Sequence, residues 1–483
     1  MNIQILTNKI KNDDILNNIA SFFPNKIYLV GGSVRDCLMG KDTYDRDLIV
    51  TDIDAGVFAQ KVSDFFDGKF IPLDVENKIY RVVLKDKINY LDITNPVENS
   101  MEKDISRRDL TINAIAVDIK TGEILDIVGG IKDVDDKIIR GIIDENFTDD
   151  PLRILRVFRF YSLLGFEIDS HLLDVCKKYK NLISKPAKER VEYELMKLFS
   201  GKYAYQSLLK MDECGILEIL FPFVKELKQV PPNLHHHLDL FHHSIETVRQ
   251  VELLYENSSS KVQEHMDKVD FGGFSRLAHL KLASFMHDIG KFSTWTIEED
   301  TGRHRFIKHD DVGSKLAKPI LKKMCFSNKQ IEYITLIIKK HMYPTAVVSS
   351  PELTDKVMMR FVRKMGDDAI DNILIAQADR LSARGPEITE EIVNENISLL
   401  NSLLEFYLGA KESLKPLPKL LDGNEVMQIL GLSPSPKLGQ IMNELHEAQV
   451  SGDVTTKDDA ISFIKTIISI SSNLVFYDKI NKK

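Results

Sequence analysis

Tyr28-Leu-Val-Gly-Gly-Ser-Val-Arg-Asp-Cys-Leu-Met-Gly-Lys-Asp-Thr-Tyr-Asp-Arg-Asp-Leu-Ile-Val50 reads as strand, glycine turn, short helix and second strand in one run. Side chains alternate along a strand, so Asp45 and Asp47 share a face, roughly 6–7 Å apart at about 3.3 Å per residue. That spacing suits a shared divalent cation. Gly31-Gly32 lets the backbone approach a ligand closely, and the helix opening behind it presents N–H groups to a phosphate. Together they describe a site for a nucleoside triphosphate and metal. Asp-x-Asp alone also reads as a surface turn at a strand edge.

Working outward, residues 1–26 read as one leading amphipathic helix, with Ile10, Ile15, Leu16 and Ile19 on a helical period. Downstream, Val57 to Phe66 reads as a helix, and Lys69-Phe-Ile-Pro-Leu-Asp, Tyr80-Arg-Val-Val-Leu and Ile88-Asn-Tyr-Leu-Asp-Ile-Thr as strands. Asp92 near the end of the last is either a third acid converging on Asp45 and Asp47 or a strand-terminal cap. From about residue 140 the pattern turns wholly helical, and Pro222 and Pro231-Pro232 mark a boundary.

Composition sets the class. With 483 residues, two to four domains are expected, and 43% hydrophobic with 28% charged residues describes an ordinary globular protein. The formal charge of −8 argues against a protein that coats nucleic acid indiscriminately, while leaving room for a local basic groove. Cys37, Cys176, Cys214 and Cys325 lie far apart with no Cys-x-x-Cys pair, so neither a disulfide framework nor a cysteine-rich zinc site is expected. No apolar h-region opens the chain and no run of about 18 apolar residues follows. A cytoplasmic protein with no membrane partner is the expectation.

The motifs then resemble a known family. Gly31-Gly-x-x-Arg-Asp with Asp45-x-Asp47, Arg107-Arg-Asp-x-Thr-Ile-Asn-Ala114, Asp126-Ile-Val-Gly-Gly-Ile-Lys-Asp-Val-Asp-Asp-Lys-Ile-Ile-Arg140, Asp149-Asp-Pro-Leu-Arg153 and Lys188-Glu-Arg-Val-Glu-Tyr-Glu-Leu195 occur in order over nearly 200 residues. They resemble the motifs of class II bacterial tRNA nucleotidyltransferases and their poly(A) polymerase relatives. The resemblance implies an α+β, multidomain chain. A polymerase-β-like head with a mixed sheet and helices would occupy 1–139, and a helical neck and body 140–230. It implies template-independent addition of CCA from CTP and ATP to tRNA 3′ ends, or of CC or A only, or poly(A) synthesis.

By that resemblance Asp45, Asp47 and Asp92 would be catalytic, with Asp45 and Asp47 holding Mg2+. Gly31, Gly32 and Arg35 would sit at the triphosphate, and Arg108, Asp109 and Asn113 at the sugar and phosphates. Asp149, Asp150 and Arg153 match the nucleobase-reading segment, where a carboxylate and an arginine present acceptors and donors to a base edge. The family often has Glu at the positions of Asp149 and Asp92. Asp149 and Asp150 also read as a helix cap ahead of Pro151, and Arg156 and Arg159 as either nucleotide contacts or a solvated face. Arg190 belongs to the last motif, and Phe70 to Tyr80 occupies the place of a flexible loop that helps switch nucleotide specificity. The basic run Cys176 to Arg190 reads as phosphate contacts for the tRNA acceptor arm or as a solvated helix.

Beyond the boundary the histidines cluster: His242-His243, Phe285-Met-His-Asp-Ile-Gly-Lys291, His309, His341 and Asp379-Arg-Leu-Ser-Ala-Arg384. This ordered set resembles the HD phosphohydrolase superfamily and implies an HD domain over 231–395. His243, His287, Asp288 and Asp379 would hold a divalent metal of open identity, with His309 and His341 as added ligands and Lys291 at a phosphate. Metal-assisted phosphoester hydrolysis follows, on RNA-end phosphates if this were the chain's main activity; a degenerate HD fold kept for RNA binding is the other reading. Asn257-Ser-Ser-Ser-Lys reads as a loop and Lys415-Pro-Leu-Pro-Lys as a linker. Residues 396–483 resemble the family's helical, tRNA-contacting tail, with a Gly431-Leu-x-Pro-x-Pro turn suited to a phosphate or only to packing, and Asp478 to Lys483 reads as a frayed end.

Overall fold

The computed structural model describes residues 2–42, 44–233, 237–410 and 418–467. The linker at Lys415 and the end at Asp478–Lys483 lie outside the fully described residues. Two compact units emerge. The first takes the chain up to Lys228 together with Phe271–His279 and Pro319–Ile331; the second takes Gln229–Asp270, Leu280–Lys318 and the chain from Glu332 on.

The first unit is built on strands β1 (Ile27–Val30), β2 (Asp45–Val50), β3 (Lys69–Asp74), β4 (Ile79–Val83), β5 (Tyr90–Thr94), β6 (Ala116–Asp118) and β7 (Ile124–Leu125). They form one sheet in the order β3-β4-β5-β2-β1-β6-β7. β1 pairs antiparallel with both β2 and β6, while β2 pairs parallel with β5, so the sheet is mixed. All four residues of β1 are buried, as an apolar run in a strand covered on both faces requires. β2 changes from an exposed Asp45 to a fully buried Leu48-Ile-Val50, so one strand carries both an open acidic end and a core anchor. Tyr28, Val30, Ile49, Met101, Ile105, Ala114 and Ala116 form a core cluster, and the helix Ala55–Phe65 packs on β4 and β5.

The leading segment is two helices, Asn2–Lys11 and Asp14–Phe22, not the single helix expected over 1–26. Asp13 is the cause. Its Oδ1 accepts from the N–H groups of Ile15 and Leu16 at 3.0 and 3.1 Å, capping a new helix and ending the old one. The stretch in the place of the flexible loop is a regular β3–β4 hairpin whose turn is fixed by Asp74, which accepts from the N–H and Nδ2 of Asn77 at 2.9 and 2.8 Å.

After residue 140 helices dominate, among them Leu152–Leu164, Ser170–Tyr179, Lys188–Phe199 and Ala204–Glu213. The pattern is not wholly helical, however. Ile138–Ile139 pairs in parallel with Glu167–Ile168, and a hairpin joins Trp295–Ile297 to His304–Phe306. These pieces of two or three residues are too short to leave a period-2 signal in the sequence.

In the second unit the helix Leu240–Glu256 packs along Ala369–Ser382, which in turn packs on Glu390–Ala410. The serine run at Asn257 is the break between Leu240–Glu256 and Ser260–Met266. Farther on, Asp422 and Glu425 form a capping box on Gly423–Leu430, and Gly431 ends that helix at φ +63°. Leu421, Val426, Ile441, Leu445, Val454, Ala460 and Ile464 make a small core between this helix and Pro436–Ser451, so the proline turn packs two helices together.

Candidate active site and second metal centre

Strand register builds the first site. Asp47 on β2 lies opposite Asp92 on β5, and one carboxylate oxygen from each of Asp45, Asp47 and Asp92 falls within 4.8 Å of the others. Asp92 is thus neither remote nor a strand-end cap, but it is already engaged. Arg81 faces it across β4 and β5 and donates from Nε to Oδ1 and from Nη2 to Oδ2, both at 2.7 Å. The Arg81 guanidinium also lies 4.2 Å over the Tyr90 ring. Burial, then the charges of Asp45 and Asp92, push the pKa of Asp47 up to about 7. Burial and Asp92 raise that of Asp45 as well. Carboxylates crowded this way are relieved by a cation, and three oxygen donors suit a hard divalent ion.

Gly31 carries the turn beside them. Its φ is +74°, and a Cβ there would stand 3.2 Å from Asp47 Oδ2 and 3.1 Å from Arg108 Nη1. Only glycine meets both demands comfortably. Arg108 is aimed by Asp104, to which its Nε and Nη2 donate at 3.1 and 3.0 Å, and its Nη1 donates to the carbonyl of Asn113 at 3.1 Å.

From here a polar chain runs inward. Arg35 Nη1 donates to Asn113 Oδ1 at 2.6 Å, Asn113 Nδ2 to Asp109 Oδ1 at 3.3 Å, and Arg156 Nε to Asp109 Oδ2 at 2.5 Å. Burial opposes ionising Asp109, yet Arg156 and these hydrogen bonds outweigh it and hold its pKa low. Glu194 lies 3.8 Å from Arg156 Nη1 and 3.2 Å from Arg159 Nη1. Burial raises the pKa of Glu194 and pushes that of Arg159 down to about 10. Arg35, Arg156 and Arg159 crowd one ring, Phe160, at 5.0, 5.6 and 4.2 Å. Arg156 and Arg159 are therefore members of a buried network and not a solvated face.

A cavity of about 840 Å³ opens over these groups and is lined by Gly31, Gly32, Arg35, Asp45, Asp47, Arg108, Asp109, Asn113, Asp150, Arg153, Arg156, Arg159 and Arg190. The neighbours Asp149 and Asp150 part company. Asp150 lines the cavity and accepts from Arg190 at 2.8 Å, whereas Asp149 is exposed and outside the lining. Arg153 Nη1 donates to the carbonyl of Asn146 at 3.1 Å, and Asn146 Nδ2 donates to the carbonyls of Ser106 and Arg108 at 2.9 and 2.8 Å. This amide ties the arginine turn to the helix Leu152–Leu164. Tyr193, Glu194 and Lys197 also line the cavity, though the sequence reading did not single them out. With Arg190 they fall at i, i+3, i+4 and i+7 of Lys188–Phe199, a period that could have disclosed them. Arg81 left no local signal, because its partner is set by strand pairing.

The second unit gathers nitrogen as well as oxygen. Ligand atoms of His243, His287, Asp288 and Asp379 lie within 4.8 Å of one another, and Asp288 forms a second such group with His309 and His341. His243 Nε2 is 3.0 Å from Asp379 Oδ1 and 3.5 Å from Asp288 Oδ2, and His287 Nε2 is 3.2 Å from Asp288 Oδ2. On the other side, His309 Nε2 and His341 Nε2 lie 3.3 and 3.8 Å from Asp288 Oδ1.

Three outer hydrogen bonds orient the rings. Nδ1–H of His287, His309 and His341 donates to the carbonyls of Ser284, Phe306 and Ile338 at 2.8, 2.9 and 2.7 Å. A carbonyl can only accept, so Nδ1 carries a proton in each ring and Nε2 is the nitrogen turned toward the cluster, an orientation suited to metal ligation. Burial lowers the pKa of His309 and pushes that of His341 down to about 4, which keeps both neutral. The buried His287 Nε2 and Asp379 Oδ1 make no well-aligned hydrogen bond, as expected of atoms placed to bind an ion. Lys291 Nζ is 2.6 Å from Asp288 Oδ2. Gly290 permits close packing here, since a Cβ would fall 2.0 Å from the carbonyl oxygen of His309. His242, beside His243, instead pairs with Asp239 at 2.7 Å on the surface, and His265 is a buried partner of Asp371 at 2.8 Å. The histidines are thus divided between the cluster and separate side-chain pairs by the face they occupy.

A carboxylate cluster under an arginine-lined cavity, on a mixed sheet with helices behind it, defines a nucleotidyltransferase; the second cluster defines an HD centre. Comparisons agree. Residues 27–140 match the poly A polymerase head domain, 165–228 the probable RNA and SrmB-binding site of polymerase A, and 240–384 the HD domain. The chain is 30% identical to the A-adding tRNA nucleotidyltransferase of Deinococcus radiodurans, covering 92% of this chain and 96% of the relative. It is 29% identical to the CC-adding tRNA nucleotidyltransferase of Thermus thermophilus, with 92% and 94% covered, and 28% identical to the multifunctional CCA protein of Vibrio campbellii, with 75% and 87% covered. In fold it is similar to the Thermotoga maritima CCA-adding enzyme complexed with tRNA, with a TM-score of 0.58 at 20% identity over 96% of this chain and 98% of that one.

The chain belongs to the family of bacterial tRNA nucleotidyltransferases that carry an HD domain. It is a nucleotidyltransferase, and both of its domain types imply dependence on divalent metal. Among the described residues no helix is long and apolar enough to cross a membrane.

Proposed function

We propose that this enzyme completes the CCA end of tRNA by adding nucleotides from CTP and ATP without a template. The observation that carries this is the Asp45, Asp47 and Asp92 cluster opening onto the arginine-lined cavity. Asp45 and Asp47 would hold Mg2+, favoured by an all-oxygen donor set, and bound ions there lower the charge of the triphosphate and the pKa of the tRNA 3′-hydroxyl. Arg35 and Arg108 bind and orient the triphosphate, and the Asn113–Asp109 pair sits where a ribose would be tested. Asp150, braced by Arg190, and Arg153 offer an acceptor and donors to a base edge. In the transfer, the tRNA 3′-oxygen bonds to the α-phosphorus, the bond from that phosphorus to the β-bridging oxygen breaks, and pyrophosphate leaves.

The HD centre supports a phosphoester-hydrolysing activity: His243, His287, Asp288 and Asp379, with His309 and His341 beside Asp288, would hold divalent metal that activates water for the attack. A cytoplasmic location fits four free cysteines, three of them buried.

A narrower reading, addition of CC or of A only, is favoured by the relatives from Thermus thermophilus and Deinococcus radiodurans, each similar over 92% of this chain. Incubating tRNAs that end before CCA, after C or after CC with CTP, ATP or both, then sequencing their 3′ ends, separates the readings. Full CCA on all three is the expected result. Arrest after CC, or extension only of the CC-ended tRNA by A, selects the narrower ones, and long A tails would overturn both.

A further inference from the structure

The transfer needs two substrates at the carboxylates, a nucleoside triphosphate and an RNA 3′ end, and the groups assigned so far serve only the first. The cavity's other wall is the helix Lys188–Phe199. Its stripe Arg190, Tyr193, Glu194 and Lys197 spans about 10 Å at 1.5 Å per residue. Arg190 stands at the Asp150 end. Lys197 stands at the opposite end, where its charge is felt by Asp45. Asp45 is the exposed carboxylate of the cluster, whereas Asp47 lies deeper, against Gly31 and near Arg108. Lys197 is therefore on the side of the carboxylate cluster where Asp45 is exposed. Among the described residues it forms no ion pair with a carboxylate.

One turn back, Tyr193 is 48% exposed on the cavity wall. Lys197 Nζ lies 5.5 Å from its ring centroid, and Phe274 braces it at 5.6 Å. An exposed aromatic held by a second ring, with a lysine that has no carboxylate partner four residues on, is the pairing that binds single-stranded nucleic acid: a ring to stack a base and a cation for the adjoining phosphate.

We propose that Tyr193 and Lys197 form the seat of the RNA 3′ end, with the last base stacked on Tyr193 and its phosphate on Lys197. This rests on the nucleotidyltransferase reading and adds to it the place of the second substrate. Base stacking of about 1–3 kcal/mol corresponds to roughly a 5- to 150-fold change, so Tyr193→Ala should raise the KM for a tRNA ending in C at least fivefold and leave the KM for CTP within twofold. Tyr193→Phe should behave as wild type. Lys197→Ala should weaken binding of a labelled acceptor-stem minihelix ending in C, measured by anisotropy without nucleotide, and reduce the slope of log affinity against log salt by about 0.7, the loss of one single-strand phosphate contact. A rise in the KM for CTP with the tRNA KM unchanged, or no effect on minihelix binding, would overturn the proposal. Failure of the wild-type enzyme to extend any tRNA would instead refute the function, and the minihelix binding would still decide the seat.

Discussion

The two candidate metal centres are built on opposite principles. The head cluster is three carboxylates and no nitrogen, with Asp45 exposed and Asp92 already shared with Arg81. The HD centre is four imidazoles and two carboxylates, and His243, His287, Asp288 and His341 are all but inaccessible. An open, oxygen-only donor set suits a hard ion, and a buried, nitrogen-rich one with oriented rings suits a softer one. The difference teaches that openness marks the centre where large reactants meet.

The comparison can be broken first at Asp47. Asp47→Ala removes the deepest carboxylate of the head cluster and, if that cluster holds the ions, should lower nucleotide addition by at least about 10³-fold, because ions at such sites contribute several kcal/mol. Hydrolysis of a phosphoester by the HD centre should persist; radiolabelled CTP incorporation and a chromogenic phosphoester assay read the two. Retained incorporation would rule out the metal assignment.

A second test reaches the head from behind. Arg46, between the two aspartates but buried on the other face of β2, donates from Nε to Asp13 Oδ2 at 2.7 Å and from Nη1 to Asn89 Oδ1 at 2.8 Å. It ties the cap of the second helix to the strand of Asp45 and to the turn leading into the strand of Asp92. Arg46→Met leaves the part-buried Asp13 carboxylate with only its cap hydrogen bonds and Asn89 without its guanidinium partner, and should destabilise the head by about 1–3 kcal/mol. Thermal unfolding followed by calorimetry should show one transition lowered and the other unmoved.

The third test uses protons. The Asp47 pKa is raised from 3.8 to about 7, so a proton occupies the site below pH 7 and must leave before a cation binds. Nucleotide addition should therefore fall up to about tenfold per pH unit below 7 and level off above it. In metal-free protein the sign reverses: the folded state holds this proton more tightly than the unfolded chain, so the head gains stability as pH falls through 7 toward 3.8 and loses it as pH rises. A flat metal-dependent rate between pH 5.5 and 8 would contradict the crowding of these carboxylates. The smallest effect belongs to Asp149. Exposed and outside the cavity, it should tolerate Ala with less than about a twofold change in CTP KM, while Asp150→Ala raises it about tenfold through loss of a charge-assisted contact.

Much of this was legible beforehand, for reasons that differ by residue. Asp45 and Asp47 share a face because strands alternate, and that needs no tertiary knowledge. The six residues of the HD cluster were legible through order and resemblance, and the structure brings them together although they span 137 residues of chain from His243 to Asp379. What stayed hidden depends on pairing across the sheet or on which side of a turn a residue falls. Arg81 meets Asp92 only through the β4–β5 register. Asp149 and Asp150 are identical in type and adjacent, yet the start of the helix Leu152–Leu164 turns one inward and one out. The helix break at Asp13 was written in Asn12-Asp-Asp, a cap signal overridden by the longer apolar period.

The central claim is that one chain carries an open, synthetic, oxygen-ligand centre and a buried, hydrolytic, nitrogen-rich one, each working without the other's ligands. It is tested most directly by assaying Asp45→Ala/Asp47→Ala and His287→Ala/Asp288→Ala side by side, for 3′ addition to a tRNA lacking CCA and for phosphoester hydrolysis with Mg2+, Mn2+ or Ni2+. The account predicts a crossed result, the first variant hydrolysing but not adding and the second adding but not hydrolysing. Loss of both activities in either variant that still folds, or survival of addition in the first, would contradict it.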